Sequence, residues 1–204
     1  MKNFGLVVLG AHIGVHIAKD LEKYKDQNIL LVEPVPHNLG ALKNNIPKNQ
    51  KIIIEQCAIH SKEEIKSFYF VKGESISKLG KHWASGIGSF NKKHILAHRT
   101  KRFKIEEEDI DSIKINSLTF KSLITKYKIS NIDKLLIDVE GFEYEILRSI
   151  NFNEIAIKKI LFESKHFDDT FNEGSKLEEI KKRLIENDYK VTQYDNENIL
   201  AEKK

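Results

Sequence analysis

Cysteine, proline, tryptophan and methionine are scarce in this chain: its 204 residues include one Cys, three Pro, one Trp and one Met. The lone Cys57 cannot build a disulfide framework within the chain and fits a reducing compartment. No apolar stretch reaches the roughly 18 residues that a membrane-spanning helix requires. The early run "LVVLGAHIGVHIAKD" is interrupted by His12 and His16, the latter where a small residue would precede a signal cleavage site. A soluble, cytoplasmic protein without a membrane span is expected. Charge of one sign is lacking too, since 34 Lys and Arg against 30 Asp and Glu leave a formal charge of +4. The most basic run, "HRTKRFK", is followed almost at once by "EEED", so there is no concentrated basic face for phosphates and no nucleic-acid partner is expected.

What is present is an alternation. "FGLVVL" is short, apolar and rich in β-branched residues, as a buried parallel strand is, and it ends at Gly10. "IGVHIAKDLEKY" then spaces Ile13, Ile17 and Leu21 four apart, which predicts a helix with one buried face. Further strands are read at "NILLVEP", "KIIIEQCAI", "LLIDVEG" and "KKILFES". A helix started by Pro36 follows the second, and "GFEYEILRSI" makes another, with Phe142, Ile146, Leu147 and Ile150 on one face. In "SKLEEIKKRLIEN", Ser175 and Glu178 predict a capping box, with a stripe of Leu177, Ile180, Leu184 and Ile185. The C-terminal "YKVTQYDNENILAEKK" predicts two strands around a turn at Asn196. The expectation is one α/β domain over residues 1–204, Rossmann-like, with a mostly parallel central sheet, helices on both faces and a C-terminal antiparallel hairpin. Residues 72–104 break the rhythm with four glycines, several histidines and Trp83, and are expected to form an irregular lid or substrate loop.

In such a sheet, ligands bind outside the carboxyl ends of the strands. Four features fall there: "LGAHIG", Glu33, Cys57 with Ala58, and Asp138 with Glu140. Gly10 and Gly14 let backbone approach a ligand, and Glu33 stands where a carboxylate can accept from both hydroxyls of a ribose. Cys57 and Ala58 would line an adenine pocket. The dinucleotide pattern G-x-G-x-x-G is absent, because His12 and Val15 occupy its second and third glycine positions. A cofactor with ribose and adenine but no pyrophosphate, S-adenosylmethionine, tolerates this turn.

Taken in order, "GAHIG", "VEPVPHNLGALKNN", "AI", "HWASGIGSFNKKH" and "LLIDVEGFEYEIL" resemble the FkbM family of S-adenosylmethionine-dependent methyltransferases, over about residues 5–165. The resemblance implies a class I methyltransferase fold and methyl transfer to an oxygen, commonly a hydroxyl of a sugar, glycan or natural product. It also implies cofactor contacts from Gly10, Ala11, His12, Gly14, Glu33, Pro34, Cys57, Ala58 and Asp138. The acid usual two residues before the first glycine is Val8 here, and the chain begins almost on its first strand, so residues 72–104 would supply most of the cover. Asp138 is the candidate base that removes the acceptor's proton, with Glu140 and His82 or His94 as alternatives. Trp83, Ser89 and His94 are candidate substrate contacts. Asp138 and Glu140 suit a hard cation, but no third ligand with convincing spacing stands out, so no metal is expected. The rival readings are a non-catalytic cofactor-binding relative and an NAD-dependent oxidoreductase. The latter lacks both the glycine pattern and a recognisable catalytic pair.

Overall fold

The computed structural model describes residues 1–80, 82–100, 103–165, 167–168 and 174–204, with the side chains of His82, Trp83, Arg99, Thr100 and Phe103 outside that description. The chain opens with β1 (Lys2–Leu9), α1 (Ala18–Lys23), β2 (Asn28–Val32), α2 (Pro36–Asn45), β3 (Ile52–Glu55) and β4 (Ala58–Ile59). A middle stretch follows: β5 (Ile65–Val71), α3 (Gly73–Leu79), β6 (Gly88–Ser89), α4 (Lys92–Ala97), β7 (Arg99–Thr100), β8 (Phe103–Lys104) and β9 (Ile110–Leu118). The remainder is α5 (Phe120–Lys126), β10 (Ile129–Ile137), α6 (Glu143–Ser149), β11 (Ala156–Glu163), α7 (Ser175–Glu186), β12 (Tyr189–Gln193) and β13 (Asn198–Lys203).

Seven strands form the main sheet in the order β12-β13-β11-β10-β1-β2-β3. The five from β11 to β3 run parallel, while β13 lies antiparallel to both β11 and β12. This is the expected class I arrangement with its terminal hairpin, and β12 is the edge. The pleat sends Val7 and Leu9 of β1 to one face, under α5, α6 and α7, and Leu6 and Val8 to the other, under α1 and α2. Each such fully buried aliphatic side chain stabilises the fold by about 1.5–3 kcal/mol.

Several expected elements differ. The first helix begins only at Ala18, because His12 and Gly14 adopt positive φ (49° and 82°) and hold residues 11–17 in turns. The strand expected through residues 51–59 breaks after Glu55: β3 stays on β2, whereas β4 leaves to pair with β9. With β5 and β6 it forms a second, four-stranded sheet in the order β4-β9-β5-β6, which sequence reading did not anticipate. The described residues of the 72–104 stretch are largely regular. They carry α3, a 3-10 turn at His82–Ser85, β6 and α4, packed on a small core of Val71, Ala84, Ile87, Ile95, Ile105 and Ile110. The predicted Ser175–Glu178 box is also absent. Gly174 is the N-cap, and the Asp168 carboxylate accepts from the amides of Lys176 and Leu177, 3.0 Å each, while Ile185 is exposed.

Candidate active site

Strand ends set the site. The chain leaves β1 at Gly10, whose φ of +88° and whose contact with β10 both require glycine: a Cβ there would sit 1.7 Å from the Asp138 carbonyl oxygen. The amides of Gly10 and Ala11 both donate to the Val32 carbonyl, 3.0 and 2.9 Å, so the turn is drawn over the end of β2. That brings the His12 amide to Glu33, where it donates to Oε2 at 2.8 Å. Oε1 accepts from the Val35 amide at 2.9 Å and from Asn38 Nδ2 at 3.3 Å. Burial pushes the Glu33 carboxyl upward, and these three donors oppose the shift. An ionised carboxylate has about four acceptor directions, so these bonds leave one, on Oε2.

The end of β10 is built differently. Asp138, Glu140 and Gly141 stand in a tight turn in which Glu140 itself has φ +58°. A non-glycine residue held there stores roughly 1–3 kcal/mol of strain. The turn is closed from below by Glu143, whose carboxylate accepts from the Val139 amide at 2.7 Å and the Gly141 amide at 3.0 Å. Glu143 is buried, and that burial pushes its carboxyl up to about 8. Burial, then the charge of Asp138, pushes Glu140 up to about 7. Asp138 is raised by burial while His16 and Lys165 act against it. Glu163 is raised by burial and by Asp138 and Glu140, although it pairs with Lys165. Burial alone would lower the Lys165 ammonium, but Glu163, Glu140 and Glu197 outweigh it and hold it above the usual range.

Between these ends lies a cavity of about 380 Å³. Gly10, Glu33, Pro34, Val35, Cys57 and Ala58 line one part of it, and Asp138, Glu140, Ser89, His94, Lys66 and Phe142 another. Its aromatic wall is a stack: the His60 ring lies parallel to Phe142 at 4.9 Å and meets the edge of Phe90 at 4.8 Å. Residues 72–104 are tied to the β1 turn through Ser85, whose hydroxyl contacts His12 Nε2 at 2.5 Å and whose carbonyl accepts from Asn38 Nδ2 at 2.8 Å. Burial, reinforced by His16 and His37, lowers His12 to about 4, so this imidazole is neutral at physiological pH.

The sequence profile of the methyltransferase FkbM domain matches residues 9–191. The chain belongs to the FkbM methyltransferase family. Its methyl donor is S-adenosylmethionine and its reaction class is methyl transfer. No curated protein sequence matches it. Similar solved structures include precorrin-6y C5,15-methyltransferase from Geobacter metallireducens GS-15, at 12% identity, with 100% of this chain and 82% of that one covered and a TM-score of 0.48. Methanococcus jannaschii fibrillarin, a pre-rRNA processing protein, gives 13%, 100%, 68% and 0.49. A fibrillarin/Nop5p complex gives 13%, 98%, 70% and 0.45. Similarities this distant say nothing of substrate.

In this FkbM chain the cavity gathers most of the residues singled out from sequence: Gly10, Glu33, Pro34, Cys57, Ala58, Ser89, His94, Asp138 and Glu140 all line it. Ala11, His12 and Gly14 stand behind that lining. Gly14 packs on α2, where a Cβ would come within 2.7 Å of Leu42, and His12 joins Glu33 to Ser85. The side chains of His82 and Trp83 lie outside the described residues. Val8 is fully buried in the apolar core. Sequence reading passed over Asn38, His60, Lys66, Phe90 and Glu143. The signal for Glu143 was its place two residues beyond the "DVEG" stretch at 138–141, where it passes for an ordinary acid in the first turn of a helix. Among the described residues, no helix is long and apolar enough to cross a membrane.

Proposed function

We propose that this methyltransferase methylates an oxygen, a hydroxyl of a sugar, glycan or natural product, acting in the cytoplasm, where its single buried Cys57 stays reduced. The observation that carries the reading is that the acceptor end of the cavity closes on Asp138 and Glu140, two carboxyls that burial raises above their ordinary range, Glu140 to about 7. An unactivated hydroxyl must lose its proton as it attacks, and a general base works best when its pKa lies near the operating pH.

The residues fit the cofactor. The cavity volume is within the usual range for small-molecule sites, and one end carries a buried acid with an acceptor direction to spare. Glu33 would take one ribose hydroxyl, and Pro34, Cys57 and Ala58 would flank the adenine. Gly10 and Asp138 would border the methionine part, with Ala11, His12 and Gly14 shaping the turn behind. When bound, the cofactor supplies a methyl group already activated on a sulfonium. The protein has three tasks: to align the acceptor oxygen, to exclude water and to receive the proton. Asp138 takes that proton, with Glu140 as the alternative base. Ser89 and His94 hold the acceptor, and the His60–Phe142 stack offers a flat surface for a ring.

The test is methyl transfer from labelled cofactor to a panel of hydroxyl acceptors, each compared with its amine analogue. Label in hydroxyl acceptors alone supports the proposal; label in amines alone overturns it.

A further inference from the structure

A histidine pair on α4 faces the strained carboxylate of the D-x-E-G turn. His94 and His98 are four residues apart, so both project from the same side of the helix end. Their rings meet edge to face at 4.9 Å. Glu140 reaches them from the opposite wall, and one ligand atom of each of the three lies within 4.8 Å of the others. We propose that His94, His98 and Glu140 bind a divalent transition-metal ion of the zinc class at the acceptor end of the cavity.

Three observations point the same way. Two imidazoles and a carboxylate are the donor set that zinc-class ions take at sites with three protein ligands and one open position. The tautomer of His98 is set: a carbonyl can only accept, so His98 Nδ1 carries the hydrogen that bonds to the His94 carbonyl at 2.9 Å, which makes Nε2 the nitrogen of ligating type. That backbone anchor is the usual outer-shell partner of a metal-bound histidine. Glu140 is kept in a costly left-handed conformation that sets it opposite the pair.

The neighbouring group of Asp138, Glu143 and Glu163 suits an ion less well. Both oxygens of Glu143 accept backbone amides, and Glu163 pairs with Lys165. His94 and Glu140 both line the cavity, so the ion's open position faces the acceptor. There it polarises a bound hydroxyl and makes its proton easier for Asp138 to remove; this last step, unlike the site itself, rests on the methyltransferase reading.

The experiment is calorimetric titration of chelator-stripped protein with Zn2+ alone, repeated for H94A, H98A and E140Q, with the absorption of the Co2+ form as a second readout. Thermal melts establish that each variant is folded, and H98Q replaces H98A if it is not. The expected result is one Zn2+ per chain, bound about tenfold or more weakly in every variant, with visible Co2+ bands of a low-coordinate nitrogen and oxygen site in the wild type only. No uptake by the wild type, or uptake unchanged across the three variants, overturns the proposal. S-adenosylhomocysteine is titrated separately into stripped protein. Zinc binding without cofactor binding rejects the methyltransferase reading and leaves the metal site standing; the reverse rejects the metal site alone.

Discussion

The two ends of the cavity are built from opposite materials. At the donor end, charge is settled within the fold: Glu33 is one buried carboxylate with three donors of its own, and the turn beside it needs glycine to exist. At the acceptor end, Asp138, Glu140, Glu143 and Glu163 crowd together, each raised above its ordinary value. The first carboxylate is hydrogen-bonded within the fold; those of the second are raised by burial and by neighbouring carboxylates. A fold can maintain such a second site only where another part, here the hydrophobic sheet, supplies the stability it gives up.

The largest effect is expected where the ends touch. Gly10→Ala places a methyl against the Asp138 carbonyl, so the protein should lose about 3 kcal/mol or more, read as a fall in denaturation midpoint, or fail to fold. An unchanged midpoint would mean that the strand ends are not joined in this way. Next comes Asp138→Asn, which should lower kcat by about 10²- to 10⁴-fold and change S-adenosylhomocysteine affinity little. Normal turnover in that variant would remove Asp138 from the role of base.

A pH series sharpens the contrast. Glu143 is raised to about 8 in the folded protein, so between its ordinary range and that value the folded chain holds a proton that the unfolded chain has released. Stability in metal-free buffer should therefore be greatest near pH 5 and be lost as pH rises through about 8, with Glu163 adding in the same direction. Glu143→Gln should flatten this slope, and a melting temperature that climbs from pH 5 to pH 8 would contradict the charge assignment. The smallest effect belongs to the tie between the cover and the donor end. Ser85→Ala should cost about 1 kcal/mol and weaken cofactor binding only a few-fold, since it removes one hydrogen bond to His12.

How much of this was legible depended on how local the cause is. β1, β2 and β11 could be read because buried parallel strands are continuous apolar runs, and the terminal hairpin because its turn residues are adjacent. Strands β5 and β9 were passed over although β9, "IDSIKINSL", has alternating character, because their pairing joins residues about 50 positions apart, as in Ile65 with Asn116. The cover looked irregular for the same reason: its core takes Val71 and Ile110 from outside the segment. Asp168 capping α7 across an intervening stretch could not be told from a Ser175 cap by spacing. In the site, Glu33 and Asp138 stood out as acids ending apolar strands. Glu143 and His98 did not, since each is an ordinary surface type until the turn or the opposite wall is brought to it.

The most direct test of two unlike ends on one cofactor cavity is calorimetric titration with S-adenosylhomocysteine, and with NAD for comparison, of the wild type and of Glu33→Ala, with Glu33→Gln as the variant that keeps the side chain's shape. Micromolar binding of S-adenosylhomocysteine but not NAD, lost in Glu33→Ala while the protein still melts cooperatively, is the predicted result. Equal binding by wild type and Glu33→Ala, or a preference for NAD, would contradict the placement of the cofactor and with it the division of the cavity.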